Sequence, residues 1–181
     1  MLLLTDNKSM QQSSTLKPQD VAVLVKLLIK RQKDWRQIDI AQEMGLSQGE
    51  VAKSLQRLER SGLIHGKRPN RTASLELLIH AIKYVFPVQL GSLSVGVPTG
   101  ISSPAHEKMV VQNGEDVFIW PSSLGKRRGQ VVKPLYSNLV EAVLKDKEFY
   151  ELMAAVEILR IGRARERKLA EQYLEKRIMS L

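Results

Sequence analysis

At 181 residues, with 43% hydrophobic and 26% charged side chains, the chain has the balance of a folded protein rather than a disordered one. It has no cysteine, which excludes disulfides, thiol catalysis and cysteine-ligated zinc, and no stretch approaches the roughly 20 apolar residues that a membrane span needs. The net charge of +9 is unevenly placed: residues 16–71 carry twelve basic against six acidic side chains and 126–181 carry thirteen against eight, whereas 72–125 carries two against four. That polarity suits a polyanionic partner such as nucleic acid, although an exposed basic surface also serves solubility.

The opening MLLL is too short for a signal-peptide core and has no basic residue before it, so a cytoplasmic protein is expected. Residues 5–15 are polar and aperiodic, and residues 1–15 read as a flexible leader. Pro18 suits a first helical turn, and Val21, Leu24, Val25, Leu28 and Ile29 recur at helical spacing, giving a helix from about Pro18 to Arg31. A second short helix fits Arg36 to Met44, with Trp35 packed at its entrance. Gly45 can end it in a left-handed conformation.

Ser47 and Glu50 then form a capping box, S-x-x-E, for a third helix that runs to about Ser61 and stops at Gly62. On a 3.6-residue helix Val51, Leu55 and Leu58 form an inner stripe. Gly49, Lys53, Gln56 and Arg60 fall on the opposite side, with Arg57 flanking. Lysine and arginine donate to guanine edges or phosphates, glutamine pairs with adenine, and an early glycine lets the backbone come close. Gln48, Gly49, Ala52 and Lys53, nearest the helix start, are the base-readout candidates; Gln56, Arg57 and Arg60 are as suited to gripping phosphate. The bland alternative is a solvated helix face.

In IDIAQEMGLSQGEVAKSLQRLERSGLI the chain resembles the helix-turn-helix of winged-helix bacterial regulators, MarR-like proteins in particular, over about residues 17–65. The resemblance implies a compact DNA-binding domain whose third helix enters the major groove, followed by a β-hairpin wing. The sequence departs from that pattern after Leu63: HGKRPNR is short and leads straight into a helix from about Ala73 to Val85, so the wing is missing or stunted. Lys67, Arg68 and Arg71 are its phosphate-contact candidates; otherwise they form a simple exposed loop.

Beyond Phe86 the chain is rich in Gly, Pro and Ser and reads as irregular or short strand. DVFIWP and GQVVKPLY are β-prone runs joined by SSLGKRRG, which predicts a hairpin with a basic tip. Tyr84, Phe86, Phe118 and Trp120 are either core or the lining of an effector pocket. A short helix follows from Asn138 to Lys145, then a long one from Lys147 to about Met179 with a bend at Gly162. Its stripe of Phe149, Leu152, Val156 and Leu159, with Leu169, Tyr173 and Leu174 beyond, is the expected homodimer surface. The basic run RIGRARERK reads as a solvated face.

No phosphate loop, G-x-G-x-x-G or complete G-x-S-x-G elbow is present, and the adjacent Glu115 and Asp116 diverge on a strand or turn, so no catalytic residues and no enzyme are expected. His65, His80 and His106 are too scattered for a local metal motif, and neither metal nor cofactor is expected. The expected architecture is mainly α: a leader (1–15), an N-terminal (winged) helix-turn-helix domain (16–85), an irregular segment with a small β-hairpin (86–136) and a helical C-terminal extension (137–181). The expected function is sequence-specific binding of double-stranded DNA as a homodimeric transcriptional regulator, a repressor because no activation surface is recognisable. The alternative is an antitoxin-like or adaptor protein that holds a protein partner through its C-terminal half and autoregulates its operon. A third is general RNA binding.

Overall fold

The computed structural model describes residues 15–31, 34–109 and 117–181. The leader up to residue 14 and the pair Glu115 and Asp116 lie outside them. Pro18 opens α1 (Pro18–Lys30), and the Asp20 carboxylate accepts the Lys17 backbone N–H at 2.8 Å. Every residue from Asp20 to Leu28 is buried. A helix that is apolar nearly all round needs cover nearly all round. It is supplied by α2 (Gln37–Met44), α3 (Gln48–Arg60) and α7 (Lys147–Ile161), all packed on α1.

The hairpin that follows α3 is minimal: β1 (Ile64–His65) pairs antiparallel with β2 (Arg68–Pro69) across a two-residue loop whose first residue, Gly66, has φ 59°. The basic turn of the sequence is thus a hairpin of two residues per strand. Asn70 then caps α4 (Arg71–Glu76), its Oδ1 accepting the Ala73 N–H at 3.1 Å. A π-helical turn (Leu77–Ala81) joins α4 to α5 (Ile82–Val85), so the expected fourth helix is present but begins at Arg71 and is underwound in its middle.

The β element corrects the sequence reading. β3 (Leu93–Pro98) pairs antiparallel with both β4 (Phe118–Pro121) and β5 (Arg127–Val131), while β4 and β5 run parallel, closing a three-stranded barrel. No β4–β5 hairpin forms, because residues 122–126 carry the chain across β3 instead. Glycine makes the crossing possible: a Cβ on Gly96 would stand 2.0 Å from the Trp120 carbonyl oxygen, and one on Gly125 2.0 Å from that of Gly96. Arg127 and Arg128 are consequently strand residues opposite Gly96 and Val95, not a hairpin tip.

The C-terminal half comprises α6 (Leu139–Lys145), α7 and α8 (Ala164–Ser180). The single long helix expected there is two helices, separated at Gly162 and Arg163, where the backbone is extended. The second folds back on the first, and Arg177 of α8 reaches Glu148 of α7 at 3.0 Å. Phe149, Leu152, Val156 and Leu159 are buried within the chain, as is Leu174. Their stripe is therefore occupied internally.

Burial also separates the four aromatics: Trp120 is fully buried, Phe86 and Phe118 are partly buried, and Tyr84 is 72% exposed. They do not line one pocket. The Trp120 indole N–H donates to the buried Glu157 carboxylate at 3.1 Å, and Arg160 donates to the same carboxylate at 2.7 Å and to the Phe86 carbonyl at 3.0 Å. These bonds fix β4, α7 and the exit of α5 to one another, and they bury the first arginine of the basic run. One hydrophobic core extends from α1 to α8. No helix among the described residues is long and apolar enough to cross a membrane.

Candidate nucleic-acid interface

α2 and α3 meet at a turn whose geometry follows from Gly45, with φ 63° and ψ 33°. That left-handed conformation is cheap only for glycine. The Leu46 N–H bonds back to the Ala41 carbonyl at 2.9 Å. α3 then starts with the expected box: the Ser47 Oγ accepts the Glu50 N–H at 3.2 Å, and the Glu50 carboxylate accepts the Ser47 N–H at 2.8 Å. The Ser47 backbone and hydroxyl hydrogen bonds hold the Glu50 carboxyl below its ordinary range.

The inner face of α3 is more polar than its sequence suggests. Val51 and Leu58 are buried, but beside them stand Ser54 and Arg57, not Leu55. Asp20, in the first turn of α1, explains the difference. Its carboxylate accepts Arg57 Nε and Nη2, each at 2.6 Å, and the Ser54 hydroxyl at 2.6 Å. A two-pronged guanidinium–carboxylate pair is directional as well as strong, so it sets the rotation of α3 about its own axis. The Asp20 hydrogen bond raises the Arg57 pKa above its ordinary value. Leu55 is displaced to the flank, where it lines a groove of about 430 Å³ with Trp35, Arg36, Gln37, Gln56 and Lys67.

This geometry sorts the sequence-predicted contacts. Gln48, Gly49, Lys53, Gln56 and Arg60 are exposed, and Ala52 is partly exposed beside them. Among the described residues, the side chains of Lys53, Gln56 and Arg60 have no hydrogen-bond or ion-pair partner. Arg57 leaves the set, because it is 7% exposed and its guanidinium is committed to Asp20. Lys67 is also diverted: its ammonium donates to the Trp35 carbonyl at 2.9 Å and lies 5.4 Å from that ring's centre. Arg68 on β2 is exposed and Arg71 at the start of α4 is partly exposed. Glu59 Oε1 accepts the Gly66 N–H at 3.1 Å and so ties the hairpin to α3.

Two connections missed at the sequence level hold the helix pair to the C-terminal half. Asn138, just before α6, donates its amide to the Gly45 carbonyl at 2.6 Å. Lys26, 2% exposed, lies between Glu43 of α2 at 2.8 Å and Asp146, the cap of α7, at 2.6 Å, with the Phe149 ring 5.2 Å away. Lys30 also donates to Glu43. Burial pushes both carboxyls up, but the lysine hydrogen bonds outweigh it, and each ends below its ordinary value. The signal for Lys26 was present in the sequence: a charge on an all-apolar helix must be buried, and then must be paired. No protein-family model matches the chain, nor does any curated protein or solved structure.

Proposed function

We propose that the chain binds double-stranded DNA sequence-specifically as a transcriptional regulator, with α3 entering the major groove. The observation that supports this most is the outward face of α3. It holds a lysine, a glutamine and an arginine, all exposed and uncommitted, on a helix whose opposite face is fixed by Asp20, Ser54 and Arg57. A merely solvated face needs no such control of rotation, whereas base readout does. Gln48, Gly49, Ala52 and Lys53 are the base-reading set; Gln56, Arg60, Arg68 and Arg71 are the phosphate set. The short hairpin serves as a reduced wing. The regulator is proposed to be a repressor and to act in the cytoplasm.

Two-fold dimers on paired half-sites are the usual way for such modules to gain affinity. With the α7 stripe internal, a homodimer requires other surfaces, and Leu93 and Val95 are large apolar side chains exposed on β3. Selection of bound fragments from genomic DNA, repeated at two salt concentrations, tests the function. The expected result is a recurrent motif, with a salt slope of roughly 0.9 per phosphate contact. Recovery of no motif, or tighter binding to structured RNA than to any selected duplex, would overturn it.

A further inference from the structure

Residues 103–105 and the start of α7 enclose a cleft of about 240 Å³, lined by Ser103, Pro104, Ala105, Lys147, Tyr150 and Glu151. None of these belongs to α2, α3 or the hairpin, so the cleft is independent of the DNA-binding proposal. Ser103 is 1% exposed and contributes wall rather than a reachable hydroxyl. Glu151 is incompletely used: Oε2 accepts the Tyr173 hydroxyl at 3.2 Å with Arg177 Nη2 4.0 Å away, but Oε1 stands 4.0 Å from Lys147 Nζ, beyond direct hydrogen bonding.

The cleft therefore offers one carboxylate oxygen as acceptor, and an ammonium whose side chain is 91% exposed. Pro104, Ala105 and the Tyr150 ring supply apolar surface, while the Tyr150 hydroxyl is already given to the Pro98 carbonyl. Its volume falls below the roughly 300–1,000 Å³ of pockets for drug-sized ligands, so it fits a molecule of about ten heavy atoms. A small molecule with an ammonium, an adjacent carboxylate and a short apolar body meets each of these groups. We propose that this cleft binds a free amino acid with a small apolar side chain, its ammonium on Glu151 and its carboxylate on Lys147.

The exposed Lys147 is screened by water, so the carboxylate contributes less than the ammonium. Titration of the full chain with L-valine, L-leucine and L-methionine, followed by calorimetry, tests this. At least one is expected to bind with a Kd below about 1 mM. For the tightest binder, removing the carboxylate should weaken binding several-fold, and removing the ammonium should abolish it. In the leucine series the probes are 3-methylbutylamine and 4-methylpentanoate. Glu151→Gln and Ala105→Trp, the second filling the cleft from an exposed position, should each weaken binding by about tenfold or more. No binding of any of the three up to about 10 mM would overturn the proposal, as would equal binding of the deaminated acid or binding that survives Ala105→Trp.

Discussion

Lys53 and Arg57 stand one helical turn apart on α3, and the geometry assigns them different work. Arg57 is buried against Asp20, whose side chain is fully inaccessible to solvent. Removing one partner of a buried pair leaves the other charge uncompensated, at a cost of about 3–5 kcal/mol. We therefore expect Arg57→Ala to lower unfolding stability by about that much, measured by urea denaturation. Replacing both partners, as Asp20→Leu with Arg57→Met, should restore most of it. Lys53 has no internal partner, so Lys53→Ala should leave stability within about 0.5 kcal/mol of the parent, as surface substitutions usually do. The sequence periodicity put 53 on the outer face and 57 only on the flank of the helical wheel; the position of Asp20 on another helix draws 57 inward.

The first three helices were legible because their punctuation is local. Gly45, the Ser47 and Glu50 box and Gly62 each act within a few residues, and α1, α2 and α3 lie close to where those signals put them. The β element was not legible, because its pairing is set by non-local contacts: β4 and β5 looked like hairpin partners in sequence, yet both pair antiparallel with β3. The break at Gly162 was visible as a bend, but not the return of α8 along α7, which depends on residues such as Arg177 meeting Glu148. The turn itself can be tested. Gly45→Ala places a Cβ 3.2 Å from the Asn138 side chain at φ 63°, so a loss of at least about 1 kcal/mol is expected in thermal or urea unfolding. Asn138→Ala should cost less, about 1 kcal/mol, by removing a single hydrogen bond.

Across the whole molecule, Lys26 joins α1, α2 and α7 through Glu43 and Asp146. Both carboxyls have folded pKa values below their ordinary 4.5 and 3.8. Their contribution is therefore complete above those values and is lost as pH falls through the lower folded ones. Stability measured by urea midpoint should be level with respect to these two groups near neutrality and decline from about pH 4.5 downward. Lys26→Met should flatten that decline. The same network makes α3 a part of the whole fold, since α2 and the turn before α3 are held by Asp146 and Asn138 in the C-terminal half.

The most direct test of DNA reading by α3 is a paired titration of the parent chain and Lys53→Ala. Each is measured against a duplex recovered by genomic selection and against a random duplex of equal length, at one fixed salt concentration. Base readout predicts that Lys53→Ala weakens the selected duplex by about 1–3 kcal/mol more than the random one. Equal losses on both duplexes, or no loss on either, would contradict the assignment of α3 as the reading helix.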